Sequence, residues 1–346
     1  MENISDILLS WFAREGRDLP WRRTRDPYRI WLSEVILQQT RVAQGMEYYL
    51  RFTERFPDVR MLAAASEDEV LKLWQGLGYY SRARNLHAAA RQVVERFGGV
   101  FPATPEGVRS LRGVGDYTAA AVCSIAYGAP CAVLDGNVYR VLARLFDIDI
   151  PTDAAAGKRT FSELAQSQLD SSCPGLYNQA VMDFGALQCT PAQPRCSDCP
   201  LAGRCLALAA GTVALRPVKQ GRAKVRDRWF DYLHITCGDR TLLHRRGGGD
   251  IWQGLYEFPL IESDAAADFT GLAATGAFRD LLGATRWRLL RSVSMPKHQL
   301  SHQTLHAVFH RIECDVLPDF PAVPTASLGD YAVPRLLDRY LTKYQM

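Results

Sequence analysis

Apolar residues recur at three- and four-residue spacing through PYRIWLSEVILQQTRVAQGMEYYLRFTERF (27–56) and YSRARNLHAAARQVVERF (80–97), the period of helices that bury one face. Gly- and Pro-containing breaks (FPDVR, GLG, GGVFPATP, RGVG and YGAP) separate such runs. The pattern predicts many short helices and little sheet before about residue 205. At the N-terminus Ile4, Ile7, Leu8, Trp11 and Phe12 trace an amphipathic helix, without the basic start and apolar block of a signal peptide. The pattern then changes. GTVALRPVKQGRAKVRDR (211–228) is poor in large apolar residues and rich in Lys and Arg, as a linker would be. WFDYLHIT, TLLHR and TLHAVFHRIE read as strands, and ADFTGLAATGAF and VPRLLDRYLTKY as helical, so the last third is predicted to be a separate α+β domain.

A chain of 346 residues that is 47% hydrophobic and 23% charged is an ordinary soluble composition and suggests two or three domains. Its net charge of +4 permits nucleic-acid binding without demanding it. No uninterrupted apolar stretch approaches the roughly 20 residues of a membrane span, so an intracellular protein is expected.

Four of the nine cysteines crowd into CTPAQPRCSDCPLAGRC as C-x6-C-x2-C-x5-C: Cys189, Cys196, Cys199 and Cys205. Pro191, Pro194 and Pro200 keep this segment in a loop, where four thiols find little core to enter. Thiolates so placed suit zinc or an iron–sulfur cluster, and spacing alone does not separate the two. LRGVG puts Gly113 and Gly115 in a tight turn before a helix, where backbone N–H groups can approach a phosphate. Asp135 or Asn137 in VLDGNVYRVLARLF caps the helical run that follows, and a carboxylate at a helix start is expected to hold its charge. Glu34 lies among Trp31, Val35, Ile36 and Leu37; desolvation there would raise its pKa and suit it to general-acid work.

These segments, with LPWRRTRDPY and GLGYYSRARNL, resemble the helix-hairpin-helix (HhH-GPD) base-excision glycosylases, the superfamily of endonuclease III, and within it the MutY-type adenine glycosylases. The resemblance runs from about residue 10 to 315 and is strongest at 19–41, 74–86, 111–144 and 177–205. It implies a mainly α, two-lobed core with an iron–sulfur loop, plus a C-terminal α+β Nudix-like domain. The boundaries it suggests are 1–20 with 128–210 for the cluster lobe, 21–127 for a six-helix barrel lobe with the hairpin, 211–228 for the linker and 229–346 for the lesion-recognition domain. It implies a [4Fe–4S] cluster on Cys189, Cys196, Cys199 and Cys205, and DNA-backbone binding by Gly113, Val114 and Gly115, with a monovalent cation on the turn carbonyls.

By the same resemblance Glu34 protonates adenine N7, and Asp135, with Asn137 beside it, is the essential carboxylate. Trp21 and Arg22 line the base pocket, Gln39 and Thr40 enter the base stack, and Tyr79 wedges beside 8-oxoguanine. Tyr117 stands where lyase relatives carry a Schiff-base lysine, and a phenol cannot form that imine, so a monofunctional enzyme is expected, with Tyr117 a catalytic residue assisting Asp135 or the incoming water. LLHRRGGGDIWQGLYEFP resembles the start of the Nudix-like domain, with Ile251 at a Leu position. Ser301 and His302 match its lesion-recognition loop, with Leu300 in place of Phe. The implied substrate is double-stranded DNA with adenine opposite 8-oxoguanine or guanine, the product an abasic site. The implied setting is a monomer in a bacterial-type cytoplasm, associated with the nucleoid and not with membranes. A pyrimidine glycosylase/lyase and a non-catalytic zinc-bearing DNA-binding protein are the alternatives.

Overall fold

The computed structural model describes residues 3–221 and 225–344, so residues 222–224 of the expected linker and the extreme ends of the two outer segments lie outside the described residues. The chain divides into two compact units. One comprises residues up to 64 with 85–221, the other 65–84 with the remainder. Among the described residues no helix is long and apolar enough to cross a membrane.

The first unit is helical, as its period predicts. The helix Pro27–Leu37 is its buried centre: eight of its eleven residues are buried, including Glu34. Asp26 starts it by accepting from Tyr28 N at 2.9 Å, with Pro27 in the first turn, where a missing N–H costs nothing. The run over 27–56 breaks into two helices at residues 38–41, and Gln39 there adopts a left-handed φ of 55°. Trp31, Phe52 and Phe56 fill the core around this helix, with Trp31 packed on Phe101 at 5.4 Å.

The helix Asp116–Tyr127 packs against Pro27–Leu37, and the helix Pro174–Asp183 packs against Asp116–Tyr127 in turn. Ala119, Ala121 and Gly175 make the close approach possible: a Cβ on Gly175 would lie 2.6 Å from the Ser124 carbonyl oxygen. Next to them a second core gathers Leu8, Trp11, Val138, Val141, Leu142, Phe161, Tyr177 and Phe184. It ties the N-terminal helix Ile4–Glu15 to Gly136–Leu145 and Pro174–Asp183, through contacts such as Trp11 on Phe184 at 5.0 Å. Pro174–Asp183 does not end in an ordinary cap. It runs into a π-helical turn, Phe184–Gln188, a wider turn that frequently marks a functional site.

The second unit is α+β. Its strands are β1 (Arg226–Cys237), β2 (Arg240–Leu242), β3 (His244–Arg245), β4 (Tyr256–Glu257), β5 (Leu260–Ser263), β6 (Trp287–Ser294), β7 (His298–Gln299), β8 (Gln303–Cys314) and β9 (Ala322–Pro324). The main sheet runs β6-β8-β1-β2-β9, with β5 on β1 and β7 on β8; β3 and β4 form a separate ribbon. The β1–β8 pair is parallel, from Arg226↔Gln303 to Thr236↔Glu313, and β1 therefore begins inside the segment expected to be linker. Alternation sorts the two faces. Phe230, Tyr232, Leu305 and Phe309 meet Leu336, Leu337 and Tyr340 of the C-terminal helix, while Leu233, Ile235 and Ile312 meet Leu272, Phe278 and Leu282. The short helix Glu67–Leu73 belongs to this unit: Lys72 Nζ donates to Tyr331 O at 3.0 Å and Gln75 Nε2 to Asp338 Oδ1 at 3.1 Å.

Gly175→Ala is expected to destabilise the first unit by about 1–3 kcal/mol, the usual cost of overpacking, because the new methyl meets backbone that cannot swing aside. A thermal melt that matches the wild type would show that the two helices have slack.

Candidate active site

A cavity of about 920 Å³ in the first unit is lined by Trp21, Arg22, Glu34, Gln39, Thr40, Tyr117, Asp135 and Asn137, among others. Every residue that the sequence assigned to catalysis or to the base pocket therefore faces one space, and so do Gln39 and Thr40. Elsewhere in this unit lie the hairpin turn Gly113–Gly115 and the four cysteines. Tyr79, Ser301 and His302 belong to the other unit.

Glu34 is carried into the cavity by the buried helix. Its carboxyl accepts a 2.6 Å hydrogen bond from the Tyr117 hydroxyl, delivered from the first turn of Asp116–Tyr127. Burial raises its pKa to about 7. The Tyr117 bond pulls the other way, the nearby Asp135 charge adds to the rise, and Arg22 opposes it. This agrees with the expectation read from the apolar neighbours of Glu34.

Asp135 caps the helix Gly136–Leu145. Its Oδ1 accepts from Asn137 N at 2.9 Å and Val138 N at 2.8 Å, and its Oδ2 from Asn137 Nδ2 at 2.7 Å. A helix cap alone would keep this carboxyl readily ionised. The cap bonds do act in that direction, and so does Arg140, but burial outweighs them and the group lies above the ordinary carboxylate range. Asp135 and Glu34 thus share one enclosure. Asp135 has three hydrogen-bond donors to hold a negative charge, whereas Glu34 has one phenol. When the pair carries a single proton, that difference puts it on Glu34.

Behind these groups stand residues that sequence reasoning missed. Arg140 Nη2 donates to Asn137 Oδ1 at 2.8 Å and to Gly185 O at 2.6 Å, while its Nε donates to Cys189 O at 2.7 Å. Gly185, in the π-helical turn, lies so close to Asn137 that a Cβ there would sit 2.7 Å from the Asn137 Cβ. Arg22 was expected to line the pocket and does, but its guanidinium is engaged by Asp183, which is completely buried. The signal for Arg140 was available: with Arg144 it forms an i, i+4 pair on the helix that Asp135 caps. Nothing in the local sequence around Asp183 marked it.

Cys189, Cys199 and Cys205 pack half-buried against the second core, with Cys196 beside them. Burial raises the thiol pKa of Cys199, to about 11, and the charges of the other three cysteines add to the rise. Arg144 Nη1 reaches Cys189 Sγ at 3.4 Å and also donates to Thr190 O at 2.7 Å and, through Nη2, to Pro191 O at 2.9 Å, placing a cation over the loop. In donor chemistry alone, an all-sulfur set beside a fixed guanidinium is of the kind that ligates zinc or an iron–sulfur cluster. Among the described residues, no three or more His, Cys, Asp or Glu side chains stand close enough together to hold a single ion.

In the hairpin turn, Gly113 has φ 75° and Val114 N donates to Leu111 O at 3.1 Å. Gly115 has open space where a Cβ would be, as the close approach of a phosphate requires. The charge of Asp116 is offset by Arg109 at 3.0 Å. In the second unit Tyr79 is half exposed, with a left-handed φ of 47°, a conformation uncommon for a bulky residue. Ser301 and His302 form an exposed turn between β7 and β8, anchored by Leu300, which packs against the sheet core.

A family profile described as HhH-GPD superfamily base excision DNA repair protein matches residues 32–166, and a NUDIX domain profile matches 231–343. A solved thermostable thymine-DNA glycosylase aligns with TM-score 0.56 at 29% identity over 60% of this chain and 95% of its own. A non-covalent endonuclease III–DNA complex aligns with TM-score 0.52 at 22% identity, over 60% and 94%, a likeness of fold. The human adenine DNA glycosylase is 47% identical over 209 residues, 58% of this chain, which spans only 38% of that relative's length. The adenine DNA glycosylase of Buchnera aphidicola subsp. Baizongia pistaciae is 31% identical over 312 residues, 86% of this chain and 83% of the relative. With both profiles matched and a likeness that covers more than four-fifths of each chain, the chain belongs to the adenine DNA glycosylase family.

Proposed function

We propose that this chain excises adenine from double-stranded DNA where it lies opposite 8-oxoguanine or guanine, by acid-assisted hydrolysis of the N-glycosidic bond. The observation that carries the proposal is the pairing in one cavity of a buried carboxyl poised near neutrality, Glu34, with a carboxylate held by three donors, Asp135. The flipped adenine enters between Trp21 and Arg22 on one side and the helix carrying Glu34 on the other. Glu34 transfers its proton to N7, and the C1′–N9 electrons leave with a neutral adenine. Asp135 faces the oxocarbenium-like sugar, in the manner of paired carboxylates in glycoside hydrolysis. Water adds to C1′ and loses its proton to a carboxylate, leaving an abasic site. Tyr117 holds Glu34 and offers no amine, so strand cleavage through an imine has no nucleophile at this position.

The hairpin turn binds the DNA backbone with the amides of Gly113, Val114 and Gly115, and its carbonyls would take a monovalent cation. Gln39 and Thr40 enter the base stack, while Tyr79, Ser301 and His302 read the lesion. Cys189, Cys196, Cys199 and Cys205 would hold a [4Fe–4S] cluster, which when bound supplies a structural cross-link and a redox centre. Arg140 ties the first turn of that loop to Asn137, and so orients the side chain that holds Asp135. The protein acts as a monomer, and its cellular setting is the bacterial nucleoid.

Glu34→Gln is expected to lower single-turnover adenine excision by about 10²–10⁴-fold, the usual contribution of a general acid, with duplex binding retained. Full activity in this variant would remove Glu34 from the mechanism. The same substitution bears on stability. Because the folded pKa of Glu34 is raised to about 7 from 4.5, folding favours the neutral form, and stability is lost as pH rises from 4.5 through 7. Glu34→Gln should therefore melt higher than wild type at pH 8, by up to about 3 kcal/mol, with the advantage fading by pH 4. An equal gain at both pH values would show that Glu34 is not the titrating group.

A further inference from the structure

Asp183 is completely buried, and it is shared by two arginines. Arg22 donates to its Oδ2 through Nη1 at 2.6 Å and to its Oδ1 through Nη2 at 2.7 Å. Arg17 donates through its backbone N and its Nε, each at 3.0 Å, and through Nη2. Arg22 Nη1 also reaches Arg17 O at 2.8 Å, and its guanidinium lies over the Phe12 ring at 5.2 Å. The side chain of Arg22 is thus fixed on one carboxylate by a fork geometry, although it lines the same cavity as a second carboxyl, Glu34. Asp183 is the last α-helical residue before the π-helical turn, and it is completely buried and not among the residues that line the cavity.

Resting on the adenine-excision reading above, we propose that Asp183 is a positioning residue that holds Arg22 beside Glu34 but withholds it from direct pairing, so that Glu34 keeps the proton it must donate. Without Asp183, Arg22 is a largely desolvated cation in a cavity whose acidic lining residues are Glu34 and Asp135, and its charge already acts on Glu34. A guanidinium paired to Glu34 would favour its ionised form, and an ionised Glu34 cannot protonate a leaving group. The groups that face Glu34 are Tyr117 from the helix Asp116–Tyr127, Asp135 from the start of Gly136–Leu145 and Arg22 from the turn Pro20–Arg22. Of these only Arg22 is cationic; Arg17, Arg41 and Arg140 line the same cavity, with Arg17 held by Asp183 and Arg140 by Asn137. The trio of Asp183, Arg17 and Arg22 keeps one net positive charge near the cavity, so its field trims the proton affinity of Glu34 without abolishing it.

The test is the pH profile of single-turnover adenine excision in wild type, Asp183→Asn, Asp183→Glu, Arg22→Met and the double variant Asp183→Asn/Arg22→Met. In the same proteins the carboxyl ¹³C resonance of Glu34 is titrated, assigned by its loss in Glu34→Gln. In Asp183→Asn the alkaline limb and the Glu34 titration should both move down by about 1–3 pH units, the range for a carboxylate gaining a cation, with roughly a tenfold loss of rate at pH 7 for each unit. Adding Arg22→Met should return the limb to or above its wild-type position, which repair of a purely structural defect would not do. Asp183→Glu should leave it in place, and Arg22→Met alone should move it up. If Asp183→Asn does not fold, the upward shift in Arg22→Met and the unchanged limb in Asp183→Glu still test the proposal. An unmoved limb in Asp183→Asn, a double variant that keeps its shift, or no upward movement in Arg22→Met would overturn it. If wild type excises no adenine, the functional reading fails on its own, and the ¹³C titrations alone decide whether Asp183 governs Glu34.

Discussion

Glu34 is a carboxyl carried into an apolar interior by a helix that has almost no exposed face. A carboxyl in such a place either finds a full set of donors or keeps its proton, because an unsolvated charge costs several kcal/mol. It is given a single phenol, Tyr117, and an acidic neighbour, Asp135, so proton retention prevails up to about neutral pH. Much of the first unit serves this choice. The helix Asp116–Tyr127 packs on Pro27–Leu37 and delivers Tyr117 to Glu34, and Asp183 engages the arginine that would otherwise favour the ionised acid. The folded state accepts a penalty above neutral pH in exchange, the kind of local instability that functional sites carry.

Asp135 obtains the opposite result from the same enclosure. Its helix start supplies two backbone N–H groups, and Asn137 supplies a third donor. Arg140 orders Asn137 and grips the carbonyl of Cys189, so the anion's surroundings and the cysteine loop are joined by hydrogen bonds through one side chain. Gly185 is what lets the chain pass close to Asn137.

Much of this was legible in the sequence, for identifiable reasons. The 3.6-residue period located the helices because each buries a stripe, and the cap at Asp135 and the turn at Gly113 are local chemistry written in consecutive residues. Glu34 could be read because its burial follows from its own neighbours along one helix. The π-helical turn, the grip of Arg140 and the Asp183 pairing could not, since they depend on residues up to 166 positions apart in the chain. The direction of the Asp135 pKa shift was not legible for a related reason: its cap is local, but the burial that outweighs the cap comes from tertiary packing. The edge strand β6 went unrecognised because WRLLRSVS is largely exposed and lacks a clean alternation.

In the proposed reaction a protonated Glu34 and an anionic Asp135 together release adenine by hydrolysis alone. It is tested most directly by incubating the protein with matched duplexes carrying adenine opposite 8-oxoguanine, guanine or thymine, and analysing each with and without alkali. Strand breaks are expected only after alkali, fastest opposite 8-oxoguanine, slower opposite guanine and negligible opposite thymine. Breaks without alkali, or no adenine release from any duplex, would contradict it.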